Sequence, residues 1–499
     1  MCIRDRPLAV GMPPQLQPLF FDFYAPDGDN EMERPLVIYF HTGNFLPNPD
    51  NGSTNGTRDD FALVDIATKL AQRGYVVAVP TYRQGWNPIS QSQEERVNTL
   101  INAAYRGVQD AHTIVRYFKR TVAENANPWG IDQDKITLWG QGTGGYITYA
   151  ANTIDEYNDV VLPKFIGANQ LPFVIESING DPFATQFGIV PMIGSPLDGD
   201  TLCHPNHAER DADGNLLYDS EIALAVNTGG AMGDLSWFDE GDSPMISFQV
   251  PDDPFAPYES DILIVPTTGD LIVEVQGAYL VQQRQNEFGL NQAWKDAELF
   301  DDFTASANVN NDGFEGLFPF IRPIWTNPFT GEPAPEASPW EWWDPEFWGN
   351  VPHPSCGTVM PPDCSFHTIN SINAQAMSEE LGMMYVDSII GYFTPRACIT
   401  LGLDCDLDEF TSTNNIVSND LSGLSIAPNP AQDQFMITSN ESHVMKEIAL
   451  YDISGKMVQF HQGVENTTYR IERGNLNPGM YIAKVRFENG VSTSKIMLQ

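Results

Sequence analysis

Residues 135–152, KITLWGQGTGGYITYAAN, combine residue types and spacing that could support covalent catalysis. An apolar, strand-like run (ITLW) leads into a turn with four glycines, and a helix-like run (YITYAA) follows. Such a strand-to-helix turn suits a nucleophile that attacks an acyl carbon, because backbone N–H groups at the start of the helix can stabilise the developing oxyanion. The central position of the turn is therefore the first candidate for a catalytic residue.

This turn resembles the nucleophile elbow of α/β-hydrolases of the carboxylesterase and lipase type, whose pattern is G-x-S-x-G. Gly140 and Gly144 match the pattern, and Gly142 stands where the resemblance places the catalytic serine. A serine there is held in a strained conformation with positive φ, which glycine adopts without strain. Gly142 is therefore expected to preserve the turn and to remove the nucleophile. Thr143 carries the nearest hydroxyl, but its implied role is to offer its backbone N–H.

The run YFHTGNF resembles a second landmark of the same family, the H-G-G-x-F oxyanion loop. His41 and Gly43 match that loop, and Thr42 replaces a glycine. The resemblance implies that the backbone N–H groups of Gly43, Asn44 and Thr143 face a developing oxyanion. His41 either shapes the loop or simply packs at the end of its strand, and both interpretations stay open.

The run PMISFQVPDDPFAPYES resembles the strand and turn that carry the catalytic acid of the family. The prolines and the tyrosine of this turn place the acid at Asp253 and leave Asp252 as a solvated neighbour. The family base is a histidine on the loop before the last helix, which the resemblance assigns to His367, with His353 as the alternative. We therefore expect His367 to hydrogen-bond Asp253 near the Gly142 turn.

The composition limits the classes of protein that the chain can belong to. Of its 499 residues, 42% are hydrophobic and 11% aromatic, so two or three domains with large cores are expected. The formal net charge of -40 disfavours nucleic acid and anionic membranes as partners, because an acidic surface repels both. No run approaches the ~20 apolar residues that span a bilayer, so no transmembrane segment is expected.

Cysteines and three polar clusters bear on export and on metal binding. Two cysteine pairs are close enough in sequence to close small disulfide loops, which is typical of exported proteins. Of two partial calcium-loop patterns, one lacks the bidentate acid and the other fits a hairpin turn equally well. One cluster has zinc-ligand residue types but lacks a second cluster. No metal or cofactor is therefore predicted. These residues are Cys356 with Cys364 and Cys398 with Cys405; Asn308, Asn310, Asp312 and Gly313; Asp211, Asp213 and Asn215; and Cys203, His204 and His207.

Strand and helix patterns alternate from about residue 35 to residue 131. Buried-strand runs (PLVIYFH, VVAVPTYR and KITLW) are separated by helical runs (FALVDIATKLAQR and NTLINAAYRGVQDAHTIVRYFKRTV). This rhythm predicts an α/β fold with a doubly wound, mostly parallel sheet, and the resemblance to α/β-hydrolases implies helices on both faces. ALAVNTGG and PMISFQV are the next predicted strands, and AQAMSEELGMMYVDSIIGYF is the final helix. Long loop insertions are expected at about residues 155–221 and 290–363.

The C-terminal part of the chain has a different pattern. Short strand-like runs alternate with turn residues, which predicts a small all-β sandwich. The runs PNP, LYDISGKMV and LNPGMYIAKV, and the terminal KIMLQ, resemble the sorting domain of type IX secretion. The resemblance implies export across the outer membrane by the type IX secretion machinery, and hence a secreted or cell-surface location.

Four segments are therefore expected. Residues 1–17, which begin MCIRDR, look like a truncated or artefactual start. Residues 18–405 form the α/β-hydrolase-like domain, residues 406–423 a polar linker, and residues 424–499 the β-sandwich sorting domain.

Three functions remain open at the level of sequence. The first is a pseudo-esterase that binds a small-molecule or polymeric ester-like ligand without covalent turnover. The second is an active carboxylic-ester hydrolase that uses a water activated by histidine and aspartate, or a displaced nucleophile. The third is a non-catalytic scaffold or adhesion protein. If Gly142 is a serine lost from an intact elbow, Gly142→Ser is expected to create esterase activity.

Overall fold

The chain divides into two compact units. The computed structural model describes residues 2–4, 16–28, 30–183, 211–212, 215–264, 271–354, 364–405, 422–452, 457–474, 476–487 and 490–499. The first unit, here called the body, comprises Met1–Ala297 and Asp302–Cys405. The second, here called the C-terminal unit, comprises Glu298–Asp301 and Asp406–Gln499.

The body is built around a mostly parallel sheet. In chain order its strands are β1 (Cys2–Arg4), β2 (Leu16–Pro18), β3 (Phe21–Tyr24), β4 (Arg34–Phe40), β5 (Val76–Pro80), β6 (Ile131–Gln141), β7 (Leu224–Thr228), β8 (Met245–Gln249), β9 (Ser260–Ile264), β10 (Leu271–Gln276), β11 (Leu317–Pro319), β12 (Ile324–Thr326) and β13 (Pro333–Pro335). Within the described residues, seven of them form one sheet in the order β11-β8-β7-β6-β4-β5-β3. Neighbours in this sheet run parallel, except that the edge strand β3 is antiparallel to β5. The pairs β1–β2, β9–β10 and β12–β13 form separate hairpin-like ladders.

Helices cover both faces of this sheet. In chain order the helices are α1 (Phe61–Gln72), α2 (Gln93–Glu124), α3 (Thr143–Thr153), α4 (Glu176–Asn179), α5 (Ala278–Phe288), α6 (Gln292–Asp296), α7 (Asp302–Ala307), α8 (Pro345–Gly349), α9 (Phe366–Asn370) and α10 (Glu379–Leu401). Leu36 and Ile38 of β4 belong to the same core as α2 and α3, whereas Val37 and Tyr39 belong to the core of α1 and α10. Since strand side chains alternate between faces, one apolar strand contributes to both cores. The predicted doubly wound sheet with helices on both faces is confirmed.

The long helices have recognisable ends. α1 ends at Gln72, and Gly74 lies two residues further on with φ +97°, a conformation that favours glycine. α2 begins after Ser92, whose hydroxyl accepts the N–H of Glu95 at 3.3 Å, as an N-cap serine does. Helix α10 begins after a second capping serine, Ser378, and so starts later than its apolar pattern predicts.

One strand of the main sheet lies in a segment that was expected to be an irregular insertion. β11 pairs in parallel with β8 and forms the edge of the main sheet. Its sequence is only Leu-Phe-Pro, which is too short for an alternating pattern, and proline is confined to edge strands. The sequence pattern therefore gave no sign of it.

The C-terminal unit is a β-sandwich. Its strands are β14 (Ser425–Ala427), β15 (Gln434–Thr438), β16 (Met445–Asp452), β17 (Met457–Asn466), β18 (Thr468–Glu472), β19 (Gly479–Phe487) and β20 (Gly490–Leu498). Among the described residues they form sheets in the orders β14-β15-β18 and β17-β16-β19-β20. Phe435, Ile448, Val485 and Ile496 from the two sheets share one buried core. The predicted all-β sandwich is confirmed, and β17 is a strand that the sequence pattern did not indicate.

One of the two predicted cysteine pairs lies among the described residues. Cys398 and Cys405 form a disulfide, as their spacing predicts, with an S–S distance of 2.00 Å. Cys356 lies outside the described residues. Across the described part of the chain, no helix is both long enough and apolar enough to cross a membrane.

Candidate functional site

Gly142 lies at the sharp turn between β6 and α3. Its backbone has φ 54° and ψ -118°, a conformation that glycine tolerates and L residues rarely adopt. Its N–H donates to the carbonyl of Thr228 on β7 at 2.9 Å, and its carbonyl accepts the N–H of Gly145 at 2.9 Å. The strand, turn and helix that the sequence pattern predicts are therefore present, with glycine at the centre of the turn.

The flanking glycines are required by close packing. A Cβ atom on Gly140 would overlap the carbonyl of Gly144, and one on Gly144 would lie 2.7 Å from the carbonyl carbon of Phe40. A Cβ atom on Gly145 would overlap the amide oxygen of Asn227 on β7. These glycines let the first turn of α3 lie directly against β4, β6 and β7, which fixes the position of the elbow.

The space next to Gly142 is filled by Thr42. A Cβ atom built on Gly142 would lie 2.9 Å from the Cβ of Thr42 and closer still to its Oγ1. A serine at position 142 therefore does not fit beside Thr42 in its present position. The sequence does not reveal that Thr42 faces the turn, and this contact counts against activity from Gly142→Ser alone, whose effect on activity stays a prediction.

The oxyanion-like loop has an unusual backbone. Gly43, Asn44 and Phe45 have φ values of +136°, +53° and +53°, which turn successive peptide groups in a way that β-strands do not. Within the described chain, the backbone N–H groups of Gly43, Asn44 and Thr143 donate to no protein acceptor. These three donors, which the sequence resemblance singled out, are available to a ligand.

A buried polar frame supports this loop. The hydroxyl of Tyr82 donates to the carbonyl of His41 at 3.1 Å and lies 3.0 Å from Oγ1 of Thr143. The next residue, Arg83, forms a buried ion pair with Asp110 at 2.8 Å, and its backbone N–H donates to the same carboxylate at 2.7 Å. Tyr82 thus connects the loop to the first residue of α3, and the ion pair of Arg83 anchors the segment that carries Tyr82 to α2.

His41 packs at the end of its strand. Its ring lies 4.7 Å from that of Tyr82, and its Nδ1 lies 2.5 Å from the carbonyl of Thr42, to which it donates. Burial lowers the pKa of His41 to about 4, so the imidazole is neutral near pH 7. These contacts favour a role in shaping the loop.

An apolar cavity of about 520 Å³ adjoins the elbow. Asn44, Thr143 and Asp253 lie in its wall, and most of the other lining side chains are apolar groups from α2, α3 and the β9–β10 hairpin. They include Leu100, Ala104, Val108, Ala150 and Ile272. The structure thus joins three predicted site residues at one mostly apolar cavity.

Asp253 lies in the turn after β8, where the resemblance places the acid. Its carboxylate accepts the N–H groups of Phe255 at 2.7 Å and Ala256 at 3.2 Å, and the amide of Gln249 at 3.1 Å. Burial raises the pKa of Asp253 to about 7. Its neighbour Asp252 is exposed, as expected.

The two candidate histidines are not joined to Asp253. Within the described residues no histidine hydrogen-bonds this carboxylate. His367 lies on the short helix α9, where its Nδ1 accepts the indole N–H of Trp343 at 3.2 Å. The Nε2 of His353 lies 2.9 Å from the carbonyl of Gly52. The expected His367–Asp253 hydrogen bond is therefore absent, because indole and backbone groups engage these rings instead.

A polar cluster behind the elbow was missed by the sequence analysis. Gln141, the residue before Gly142, donates its amide to Glu341, which also accepts from Asn55 at 2.9 Å. Burial, followed by the nearby Asp60 charge, raises the pKa of Glu341 to about 8. Burial likewise raises the pKa of Asp60 to about 7. These residues are distant in sequence, and only Glu341, in the tryptophan-rich run SPWEWWDPEFWG, was a possible signal.

The metal-like patterns are occupied by internal hydrogen bonds where they are described. Asn215 donates its backbone N–H to the carboxylate of Asp211 at 2.9 Å, which closes a turn. Asp312 accepts the hydroxyl of Tyr279 at 3.0 Å, and Asn308 accepts the amide of Asn311 at 2.9 Å. The sequence predicted neither of these contacts. Asp213 and the cluster of Cys203, His204 and His207 lie outside the described residues.

Comparison with known proteins gives independent information on both units. The family described as "Secretion system C-terminal sorting domain" matches residues 425–499. The chain is 27% identical to bile salt-activated lipase of Bos taurus over 183 residues, which are 36% of this chain and 28% of that protein. It is 25% identical to Secreted lipase 5 of Gibberella zeae over 162 residues, which are 32% of this chain and 26% of that protein. The chain thus spans little more than a quarter of the length of these relatives.

Solved structures of similar fold include two of esterase 2 from Thermogutta terrifontis. The propionate-bound form is 15% identical with a TM-score of 0.28, covering 48% of this chain and 70% of that one. The form phosphorylated by paraoxon is 17% identical with a TM-score of 0.27, covering 48% and 68%. At these TM-scores the similarity says nothing about function. With its sheet order and lipase relatives, the body has an α/β-hydrolase-like fold, and the C-terminal sorting domain directs the protein to the cell surface or outside.

Proposed function

We propose that this secreted protein of α/β-hydrolase fold is a pseudo-esterase, which binds an acyl or ester-like ligand in the cavity beside Gly142 without forming a covalent intermediate. One observation carries the proposal: an apolar cavity of about 520 Å³ adjoins an elbow whose central residue has no side chain. A cavity of this kind retains binding capacity, while the missing nucleophile removes acyl transfer.

The cavity favours an acyl ligand because its wall combines apolar side chains with the polar groups of Asn44 and Thr143. Side chains such as Leu100 and Val108 would take the hydrocarbon part, and each buried CH₂ group contributes about 0.8 kcal/mol. The free N–H groups of Asn44 and Thr143 would meet the polar end of the ligand. Thr143 is also the first residue of α3, where the helix dipole favours a negative or partly negative oxygen.

The surroundings of Asp253 favour binding over turnover. A serine-type mechanism needs a nucleophile, a base in contact with it and an acid that orients the base. Asp253 is engaged by its own turn and by Gln249, and His367 by Trp343. A water molecule at the Gly142 turn would therefore have no histidine–aspartate pair to activate it.

Two measurements on the full chain test this proposal. A fluorescent long-chain fatty acid is titrated against the protein, and hydrolysis of a p-nitrophenyl ester is followed with a serine-directed phosphonate as a covalent probe. We expect saturable binding, no phosphonate adduct and no ester turnover above that of buffer. Rapid turnover would establish the active-hydrolase alternative. Absence of binding would favour the scaffold alternative.

A cavity-filling variant locates the binding. Ala104 on α2 lines the cavity, whereas Ala123 on the same helix is exposed. Ala104→Phe should raise the dissociation constant of the fluorescent fatty acid on the order of tenfold or more, because the ring would occupy ligand space. Ala123→Phe is the matched control and should bind normally. Equal affinities of the two variants, both with wild-type circular dichroism, would contradict binding in this cavity.

A further inference from the structure

We propose that Thr42 takes the place of the elbow serine: its side chain occupies the volume of the missing serine, and its hydroxyl meets the polar end of the ligand. Gly142 and Thr42 are therefore a matched pair rather than two unrelated departures from the hydrolase pattern. The role of the hydroxyl rests on the proposed function, whereas the packing of the pair does not.

The packing argument rests on the geometry around Gly142. A Cβ atom at position 142 would lie 2.9 Å from the Cβ of Thr42, and its closest neighbour would be the Thr42 hydroxyl oxygen. Real Cβ atoms essentially never lie within 3.0 Å of a heavy atom outside their own residue and its chain neighbours, so the two side chains cannot occupy their positions together. In the H-G-G-x-F loop that this segment resembles, residue 42 would be a glycine, and the space would be free for a serine.

Thr42 cannot easily move away from this position. Its carbonyl accepts the Nδ1–H of His41 at 2.5 Å and the hydroxyl of Tyr82 at 3.3 Å. Rotation about χ1 can bring the methyl group or the hydrogen of Thr42 to the place of its hydroxyl, but it leaves the Cβ of Thr42 2.9 Å from a Cβ atom at position 142. A side chain at position 142 must therefore displace the loop backbone or remain strained.

The chemistry of the Thr42 hydroxyl fits ligand binding better than attack. Among the described residues this hydroxyl makes no hydrogen bond, and it lies beside Gly142. Gly43 and Thr143, whose N–H groups are free, are the chain neighbours of Thr42 and of Gly142. It could therefore donate to a carbonyl or carboxylate oxygen of the ligand. No described histidine or carboxylate contacts it, so nothing activates it as a nucleophile.

A double-mutant cycle on the full chain tests the packing. We compare the thermal unfolding of the wild type, Gly142→Ser, Thr42→Gly and the double variant. Overpacking next to backbone should lower the melting temperature of Gly142→Ser by several degrees. In the Thr42→Gly background the same substitution should cost clearly less. Equal decreases in both backgrounds would overturn the pairing. If Gly142→Ser does not fold, recovery of folded protein in the double variant supports the pairing, and failure to recover it overturns the pairing.

Two isosteric variants test the hydroxyl. Thr42→Val keeps the shape and removes the hydroxyl, whereas Thr42→Ser keeps the hydroxyl. With the fluorescent fatty acid as probe, Thr42→Val should weaken binding on the order of tenfold, and Thr42→Ser should remain near the wild type. Unchanged binding by Thr42→Val overturns the role of the hydroxyl. A wild type that binds no fatty acid overturns the proposed function and this role together, while the thermal cycle still decides the packing pair.

Discussion

Several carboxyl groups in the body have pKa values raised well above those of free carboxyl groups. Burial is the largest cause for each of them, and it raises their pKa values to about 7 or about 8. They are Asp60, Asp155 and Asp253, at about 7, and Asp242 and Glu341, at about 8. Burial also lowers the pKa values of His41 and His112 to about 4. The two groups of residues have opposite effects on how stability depends on pH.

Stability of the body should fall as pH rises from 6.5 to 8. An acid with a raised pKa holds its proton in the folded state and loses it in the unfolded state above about pH 4, so stability decreases with pH up to the folded pKa. The buried histidines oppose this trend only below about pH 6.5, where the unfolded chain takes up protons. Melting temperatures measured at intervals from pH 5 to pH 9 should therefore decrease between pH 6.5 and pH 8 and then level off.

A single substitution separates one group from the others. Glu341→Gln keeps the size of the side chain next to Gln141 and Asn55 but cannot titrate. Its decrease in melting temperature between pH 6.5 and pH 9 should be smaller than that of the wild type. An identical decrease would mean that Glu341 is already ionised at pH 6.5 in the folded protein.

At the scale of elements, the elbow depends on how closely α3 approaches the sheet. Gly140 on β6 and Gly144 on α3 lie back to back, and Gly107 on α2 lies under Ile147 of α3. Gly140 and Gly144 bring α3 into direct backbone contact with the sheet, and Gly107 leaves room on α2 for the side chain of Ile147. The cavity lies beside this contact, since α2 and α3 supply much of its apolar wall.

Gly140→Ala should therefore be strongly destabilising. Its Cβ would meet the carbonyl of Gly144 and lie 2.5 Å from the backbone nitrogen of Gly145, and backbone atoms cannot rotate away. We expect a loss of about 3 kcal/mol or more in the free energy of unfolding, measured by urea denaturation. Gly349→Ala is the matched control, because a Cβ there has no neighbour within 4 Å, and its effect should stay within about 0.5 kcal/mol. Similar values for both variants would contradict the close-packing argument.

At the scale of the whole molecule, the charge is distributed unevenly along the chain. Residues 425–499 contain seven Lys or Arg and seven Asp or Glu, so the net charge of -40 belongs to residues 1–424. The sandwich has its own buried core, centred on side chains such as Phe435 and Val485. An acidic body and a neutral sorting domain suit a protein whose C-terminal part is recognised during export, while the body remains soluble.

Export should depend on the C-terminal domain alone. In a bacterium that carries the type IX machinery, a chain that ends at residue 424 should accumulate inside the producing cell, and the full chain should reach the cell surface or the medium. Immunoblots of cell and medium fractions measure this. The full-length Ala123→Phe variant, which alters only an exposed side chain of the body, should be exported normally. Release of the truncated chain at the wild-type level would refute this dependence.

The sequence by itself determined the architecture and the identity of the elbow. Buried strands such as β4 and amphipathic helices such as α2 have periodic patterns that depend on neighbouring residues only. The elbow glycines are required by local backbone conformation and by close packing. Their spacing can therefore be recognised within one short stretch of the sequence. The motifs of the sorting domain were equally local.

Only the tertiary structure decided what surrounds the elbow. Thr42 is 100 residues from Gly142 in sequence, and the side chain that fills the serine space could not be identified from either segment alone. Similarly, His367 was assigned to Asp253 by chain order, but the indole of Trp343 binds it instead. Contacts between distant segments depend on how loops pack onto a sheet, and loop packing leaves no period in the sequence. The chemistry of this site is therefore set by side chains that meet only in the folded chain.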